Sequence, residues 1–150
     1  MSQGIVRRKD KEMSAAEVEA LLRRVALAHF ATVGADGRPH VVPFTFATVG
    51  DRILHAVDHK PKRTTDLRRL RNIRENPRVS ILVDHYDDDD WSSLWWIRVS
   101  GPARVIDGGP EHGRAVGLLR AKYPQYRPHA LTGPVLAVEL RRWRTWSARA

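Results

Sequence analysis

Residues 29–57, HFATVGADGRPHVVPFTFATVGDRILHAV, decide the fold. His29 to Val33 is a short apolar run that ends at Gly34-Ala35-Asp36-Gly37, a turn in which Gly37 supplies positive φ. Arg38 to Val49 reads as a second strand. Pro39 and Pro43 lack the N–H that a central strand needs, so this strand belongs at an edge or carries bulges. Gly50-Asp51 makes another tight turn, and Arg52 to Val57 forms a third strand. Strand, turn, strand, turn, strand is an antiparallel meander.

Upstream, Ser14-Ala15-Ala16-Glu17 is a capping box. Val18, Leu21, Leu22 and Val25 follow at helical spacing, predicting an amphipathic helix to about Ala28. Residues 1–13 read as a disordered leader and 14–150 as one domain. Downstream the period changes. Leu67, Leu70 and Ile73 lie three apart on one helix face, and Asn76-Pro77 stops that helix. Arg78 to Asp84 (RVSILVD) is a strand with a continuous apolar centre, expected to be buried on both faces. His85 to Ser92 is a polar loop, and Leu94 to Asp107 a long strand broken at Gly101-Pro102. Gly108-Gly109-Pro110 opens a helix to Lys122, with Pro110 at its first position. A loop from Tyr123 to Thr132 precedes a last strand from about Pro134 to Trp146. Six mostly sequential antiparallel strands with flanking helices give an α+β barrel.

The totals bound the function. A chain of 150 residues is one domain and buries roughly 70% of its extended surface, so it folds without staples. There is no cysteine, which excludes thiol chemistry, disulfides and iron–sulfur clusters. No apolar run is long enough to cross a bilayer, and the polar first residues lack a secretory core. The expected address is cytoplasmic. The net charge of +9 suggests an anionic partner. With 21 Arg against 5 Lys, coding bias accounts for such a charge as readily as ligand demand, so its clustering matters more than its sum.

It clusters in Lys60-Pro61-Lys62-Arg63-Thr64-Thr65, leading into Arg68, Arg69 and Arg71. This is a strand-to-helix junction, where unpaired N–H groups and the helix dipole favour phosphate. At 100° per residue, Thr65, Arg68 and Asn72 fall opposite the apolar arc, with Arg69 on its flank. A solvated helix face in an Arg-rich protein is the plain alternative; the junction position favours anion binding. His55 and His59, or His40 with His55 on neighbouring strands, lack a third ligand for zinc. Asp84 and Asp87 to Asp90 lack the turn glycine and terminal Glu of a calcium loop. No metal site is expected, and no nucleophile elbow or phosphate loop is present. Trp95 and Trp96 are adjacent on a strand, so one faces in and one out. An outward Trp suggests a covered surface, a dimer interface or a planar ring.

Three segments in order, Ala28 to Phe44 (AHFATVGADGRPHVVPF), Asn72 to Asp84 (NIRENPRVSILVD) and Val99 to Val105 (VSGPARV), resemble the pyridoxamine-phosphate-oxidase-like split β-barrel family. Within it the chain looks closest to the branch dependent on the deazaflavin coenzyme F420. The resemblance spans about Glu17 to Trp146. It implies a six-stranded antiparallel split β-barrel with flanking helices, working as a homodimer with cofactor at the interface. It maps the cofactor's acidic tail onto Lys60, Lys62, Arg63 and Thr64, with Arg69 and Asn72 as further candidates. It sets Val42, Pro43, Phe44 and Thr45 beside the ring through backbone groups, and brings Trp95 or Trp96 from the partner subunit. The implied activity is F420-dependent hydride transfer to a small unsaturated organic substrate, with an FMN-binding oxidoreductase or oxidase as the alternative. The cofactor carries the hydride, so no acid–base constellation is required. A nucleic-acid partner is not expected, because the basic strip Lys60 to Arg71 carries no interleaved aromatics.

Overall fold

In the computed structural model the described residues are 12–57 and 67–149. Helix α1 (Ala15–Arg24) precedes strands β1 (Ala28–Val33), β2 (Pro39–Phe44), β3 (Ala47–Val49) and β4 (Arg52–Ala56). Helix α2 (Arg68–Glu75), strands β5 (Arg78–His85) and β6 (Trp95–Ile106), helix α3 (Gly109–Lys122) and strands β7 (Val135–Glu139) and β8 (Arg142–Ser147) follow. Every strand pair is antiparallel, in the order β2-β1-β5-β6-β7-β4-β3, with β8 also paired to β6. Among the described residues no helix is long and apolar enough to cross a membrane.

Strand β6 joins the two halves of the barrel. Its first part, Trp95 to Ser100, lies between β5 and β8, whereas Ala103 to Ile106 pairs with β7. Gly101 sits at the change of partner. A Cβ there would coincide with the Glu139 carbonyl oxygen, so only glycine lets the β7–β8 corner come this close. β2 pairs only with β1 among the described strands, the edge position that Pro39 and Pro43 require.

The six expected strands are eight segments, because two of them break at corners. Between β2 and β3 the Thr45 carbonyl accepts from His55 Nδ1 (2.7 Å) and the Phe46 N–H donates to Tyr123 Oη (3.1 Å). Those groups have left the ladder. Between β7 and β8, Leu140 N–H donates to Asp51 O and Arg141 N–H to Ser100 O. Each corner lets one continuous run serve both halves of the barrel.

Ser14 caps α1 as expected, its Oγ accepting from Glu17 N–H at 3.2 Å. The helix stops at Arg24 rather than near Ala28, because Val25 turns extended (φ −71°, ψ 130°) to feed β1. Glu12 and Met13 lie against β8 through an Arg144–Glu12 ion pair and a Met13 N–H to Thr145 Oγ1 bond. Strand β5 departs from expectation: Val79, Ile81 and Val83 are buried, but Ser80 and Leu82 only partly. One of its faces meets the core around Phe30, Phe46, Ile97 and Val99. The other belongs to an outer surface that no described element covers.

Candidate functional site

β4 reads Arg-Ile-Leu-His-Ala, and every residue after Arg52 is buried. A histidine in such a strand needs partners on both ring nitrogens. His55 is 5% exposed and its ring lies 4.8 Å from that of Phe44. Nδ1 is 2.7 Å from the Thr45 carbonyl and Nε2 is 3.4 Å from Arg69 Nη2. A carbonyl only accepts and a guanidinium only donates, so Nδ1 carries the proton and Nε2 offers its lone pair. Burial pushes the His55 pKa down to about 4, with the neighbouring Arg69 charge acting in the same direction and the Thr45 bond opposing it. At neutral pH this histidine is uncharged.

A hydrogen-bonded corner grows from this residue. Thr45 Oγ1 meets Tyr126 Oη at 2.5 Å. Tyr123 Oη accepts from Phe46 N–H and donates to Ala26 O at 2.8 Å. The end of β2 is therefore tied to β4 by His55 and to the residues after α3 by two tyrosines. On the far side of His55 lies the first turn of α2, which contains no acidic residue. Arg68 is exposed and its charge helps hold the Asp36 carboxyl below the usual range, behind the larger effect of the Arg38 N–H bond. Arg69 is half-buried and directed at His55.

Lys60, Lys62, Arg63 and Thr64 lie outside the described residues, but both ends of their segment, the close of β4 and the start of α2, meet at this corner. Asn72 is 2% exposed, and its Nδ2 donates to Thr32 Oγ1 at 3.0 Å. It thus departs from the solvent-side placement read from helical angles. The reason is that α2 is enclosed on two sides: Leu70 and Ile73 face the core, and Asn72 faces β1 and the turn at Gly34. Phe44 is also buried, stacked on Phe30 at 4.8 Å. Thr45 has its carbonyl and hydroxyl engaged, whereas Val42 is half-buried and Pro43 exposed on the open edge of the sheet.

Trp95 and Trp96 do point to opposite faces. Trp95 packs against the core, while Trp96 lies outside with the Arg98 guanidinium 5.7 Å from its ring. Leu82, Trp96, Arg98 and Trp146 line an open depression of about 300 Å³ on the outer face. His40 and His55 are not neighbours: His40 is opposite Thr32 and His55 opposite Leu136, in different halves of the barrel. Among the described residues no three His, Asp or Glu side chains converge on a metal site. The sequence reading missed His55, Tyr123 and Tyr126 as site-building residues. Their only signal was a polar ring in a wholly apolar strand, and two tyrosines bracketing a proline.

This architecture is a split β-barrel, and the sequence model of the family described as pyridoxamine 5'-phosphate oxidase matches residues 14–147. The chain belongs to that family, whose fold serves flavin-type oxidoreductases. It is 28% identical over 125 residues, 83% of this chain and 77% of the relative, to the 5a,11a-dehydrotetracycline/5a,11a-dehydrooxytetracycline reductase of Streptomyces rimosus. A conserved hypothetical protein of Mycobacterium tuberculosis superposes with a TM-score of 0.75 at 24% identity, over 95% of this chain and 89% of the other. A FAD-binding protein of Mesorhizobium loti gives 0.68 at 20% identity, over 90% and 95%.

Proposed function

We propose that the chain is a cytoplasmic, homodimeric reductase that uses coenzyme F420, rather than FMN, to reduce an activated double bond in a small planar substrate. The observation that carries this reading is the likeness over 83% of the chain to a reductase of 5a,11a-dehydro compounds. That name describes addition of hydrogen across a ring double bond.

The donor set suits an anionic tail. Arg68 and Arg69 stand in a helix turn without a carboxylate, next to the basic run from Lys60 to Thr65 in the sequence. Several cations exceed what one terminal phosphate needs and match a tail that joins a phosphodiester to glutamate carboxylates. Along the edge strand β2, alternate backbone groups point away from β1, which leaves chiefly carbonyl acceptors for a ring beside Val42 and Pro43, since Pro39 and Pro43 have no N–H to donate. When bound, the reduced deazaflavin supplies the hydride. The chain's own residues bind and orient: Arg69 meets the tail, the His55–Thr45–Tyr126 corner fixes the end of β2, and Trp96 closes the site from the second copy. His55 is held neutral with its one proton committed to Thr45, so it is not the proton donor of the reaction.

Side-by-side fluorescence titration of the protein with F420 and FMN tests the assignment. F420 is expected to bind at least tenfold more tightly, a difference of about 1.4 kcal/mol or more. A protein that purifies yellow with FMN and ignores F420 refutes it. Replacing Lys62 and Arg63 together with Ala should weaken the preferred cofactor several-fold or more, since charge-assisted contacts contribute roughly 1.5–3 kcal/mol each.

A further inference from the structure

We propose that a cavity beside α1, at the other end of β4 from His55, binds a small organic cation: a compact apolar body the size of one aromatic ring, carrying an ammonium. The proposal stands apart from the cofactor reading, which uses no residue of this cavity.

The cavity measures about 230 Å³ and is walled by α1, the turn between β3 and β4, and the corner between β7 and β8. Val18, Leu22 and Val99 give it a buried apolar wall, and Trp143, 40% exposed, stands at its rim. An apolar space of about 150 Å³ already accommodates benzene, so this one takes a single ring with a short side chain. Trp143 pairs with Val99 and Trp146 with Trp96 in the β6–β8 register, which sets the two β8 indoles on opposite faces of the strand. The cavity therefore lies on the side away from the outer sheet face that the proposed second copy covers.

Its polar groups select the sign of the ligand. The chain holds 26 Lys and Arg against 17 Asp and Glu, yet the described residues lining this cavity include two carboxylates, Glu19 and Asp51, and no cation. The arginines of the surrounding segments are each held by another acid: Arg23 by Glu19 at 2.7 Å, Arg141 by Glu139 at 2.7 Å and Arg52 by Glu111 at 3.4 Å. The Asp51 carboxylate has no hydrogen bond or ion pair among the described residues. Its backbone is fixed all the same, because the Asp51 carbonyl accepts from Leu140 N–H at 2.8 Å. An ammonium here gains the Asp51 carboxylate and the face of the Trp143 indole, while the apolar body displaces water from Val18, Leu22 and Val99. An anion of the same size meets two carboxylates, and a neutral ring gains the apolar contact alone.

Nitrogen-15 NMR titration of the full, cofactor-free chain with 2-phenylethylamine tests the assignment, with 2-phenylethanol and phenylacetate as neutral and anionic counterparts. The amine should bind with a dissociation constant of about 1 mM or tighter. It should bind about tenfold more tightly than the alcohol, the effect of one charge-assisted contact, and phenylacetate should not bind. Shifts should gather on Val18, Gly50, Asp51, Leu140 and the Trp143 indole N–H. Asp51→Asn leaves the backbone bond to Leu140 in place and should reduce the amine to the affinity of the alcohol. Raising the salt concentration should weaken the amine and spare the alcohol, which reads the same charge without a substitution. Equal affinity for amine and alcohol, no binding of the amine, wild-type affinity in Asp51→Asn, shifts centred elsewhere, or displacement of the amine by F420 or FMN each overturns the proposal.

Discussion

At the scale of single residues, two titratable groups, His55 buried and Lys122 half-buried, give the protein a pH signature. His55 titrates near 4 in the folded chain against an ordinary 6.5. Below pH 6.5 the unfolded chain takes up a proton that the folded chain refuses, so stability falls as pH drops toward 4. The loss amounts to roughly 2–3 kcal/mol between pH 7 and 4.5. Urea midpoints measured across that range should decline steeply in the wild type and less so in His55→Phe. On the alkaline side, burial pushes the Lys122 ammonium down to about 8 from 10.5. Its Nζ lies 3.9 Å from the Phe46 ring centre and 3.3 Å from the Leu22 carbonyl at the end of α1, contacts that favour the charge without offsetting its lost hydration. From pH 8 to 10.5 the unfolded chain holds the extra proton. Wild-type stability should therefore rise relative to Lys122→Met in that window, which a pair of thermal melting series would show.

At the scale of elements, close approaches at two glycines rank two substitutions. Gly101→Ala drives a methyl into the Glu139 backbone carbonyl at the β7–β8 corner. Neither strand can yield without losing ladder bonds, so we expect a loss above about 3 kcal/mol or failure to fold. Gly34→Ala meets Asn72 Oδ1 at 2.5 Å and Glu75 Oε2 at 2.7 Å, both side-chain ends. Glu75 can swing away at the cost of its bond to Ala35 N–H, but the buried Asn72 amide, bonded to Thr32, must shift as well, so the loss should be about 2–3 kcal/mol, below that of Gly101→Ala. Denaturant unfolding of the two variants checks the order. Similar reasoning applies to Tyr123→Phe, which strips the β2–β3 corner of the hydroxyl that receives the buried Phe46 N–H. A stability loss of about 1–3 kcal/mol is expected.

At the scale of the whole molecule, the outer face of β8-β6-β5-β1-β2 is the surface to explain. By strand register Trp146, Trp96, Leu82, Ala31 and Val41 share it, with Arg98 and Arg144 between them. None of these is fully buried, and Val41 is 61% exposed. A sheet face this apolar calls for a cover, and the proposed second copy supplies it. Leu82→Glu lies mid-face and touches no part of the core. It should convert dimer to monomer in light scattering at micromolar concentration and weaken cofactor binding in parallel. A Leu82→Glu protein that stays dimeric would show that the subunits meet elsewhere.

Much of this barrel was written in local patterns. The meander from His29 to Val57, the Ser14 cap, the edge position signalled by Pro39 and Pro43, and α3 opening at Pro110 all follow from short-range chemistry, because turn residues and periodicity act within a few positions. What depended on tertiary structure was where long strands bend and which polar side chains are consumed inside. Nothing near position 45 announces that Thr45 and Phe46 leave the ladder; the partners responsible, His55, Tyr123 and Tyr126, are up to 81 positions away. Helical angles put Asn72 on the outer side, and it is buried because α2 is enclosed by the β1–β2 turn as well as the core. Residue order sets the choice of local conformation. Which hydrogen bonds are already spoken for is decided only when distant segments meet, as Asn72 meets Thr32 across 40 positions inside the barrel.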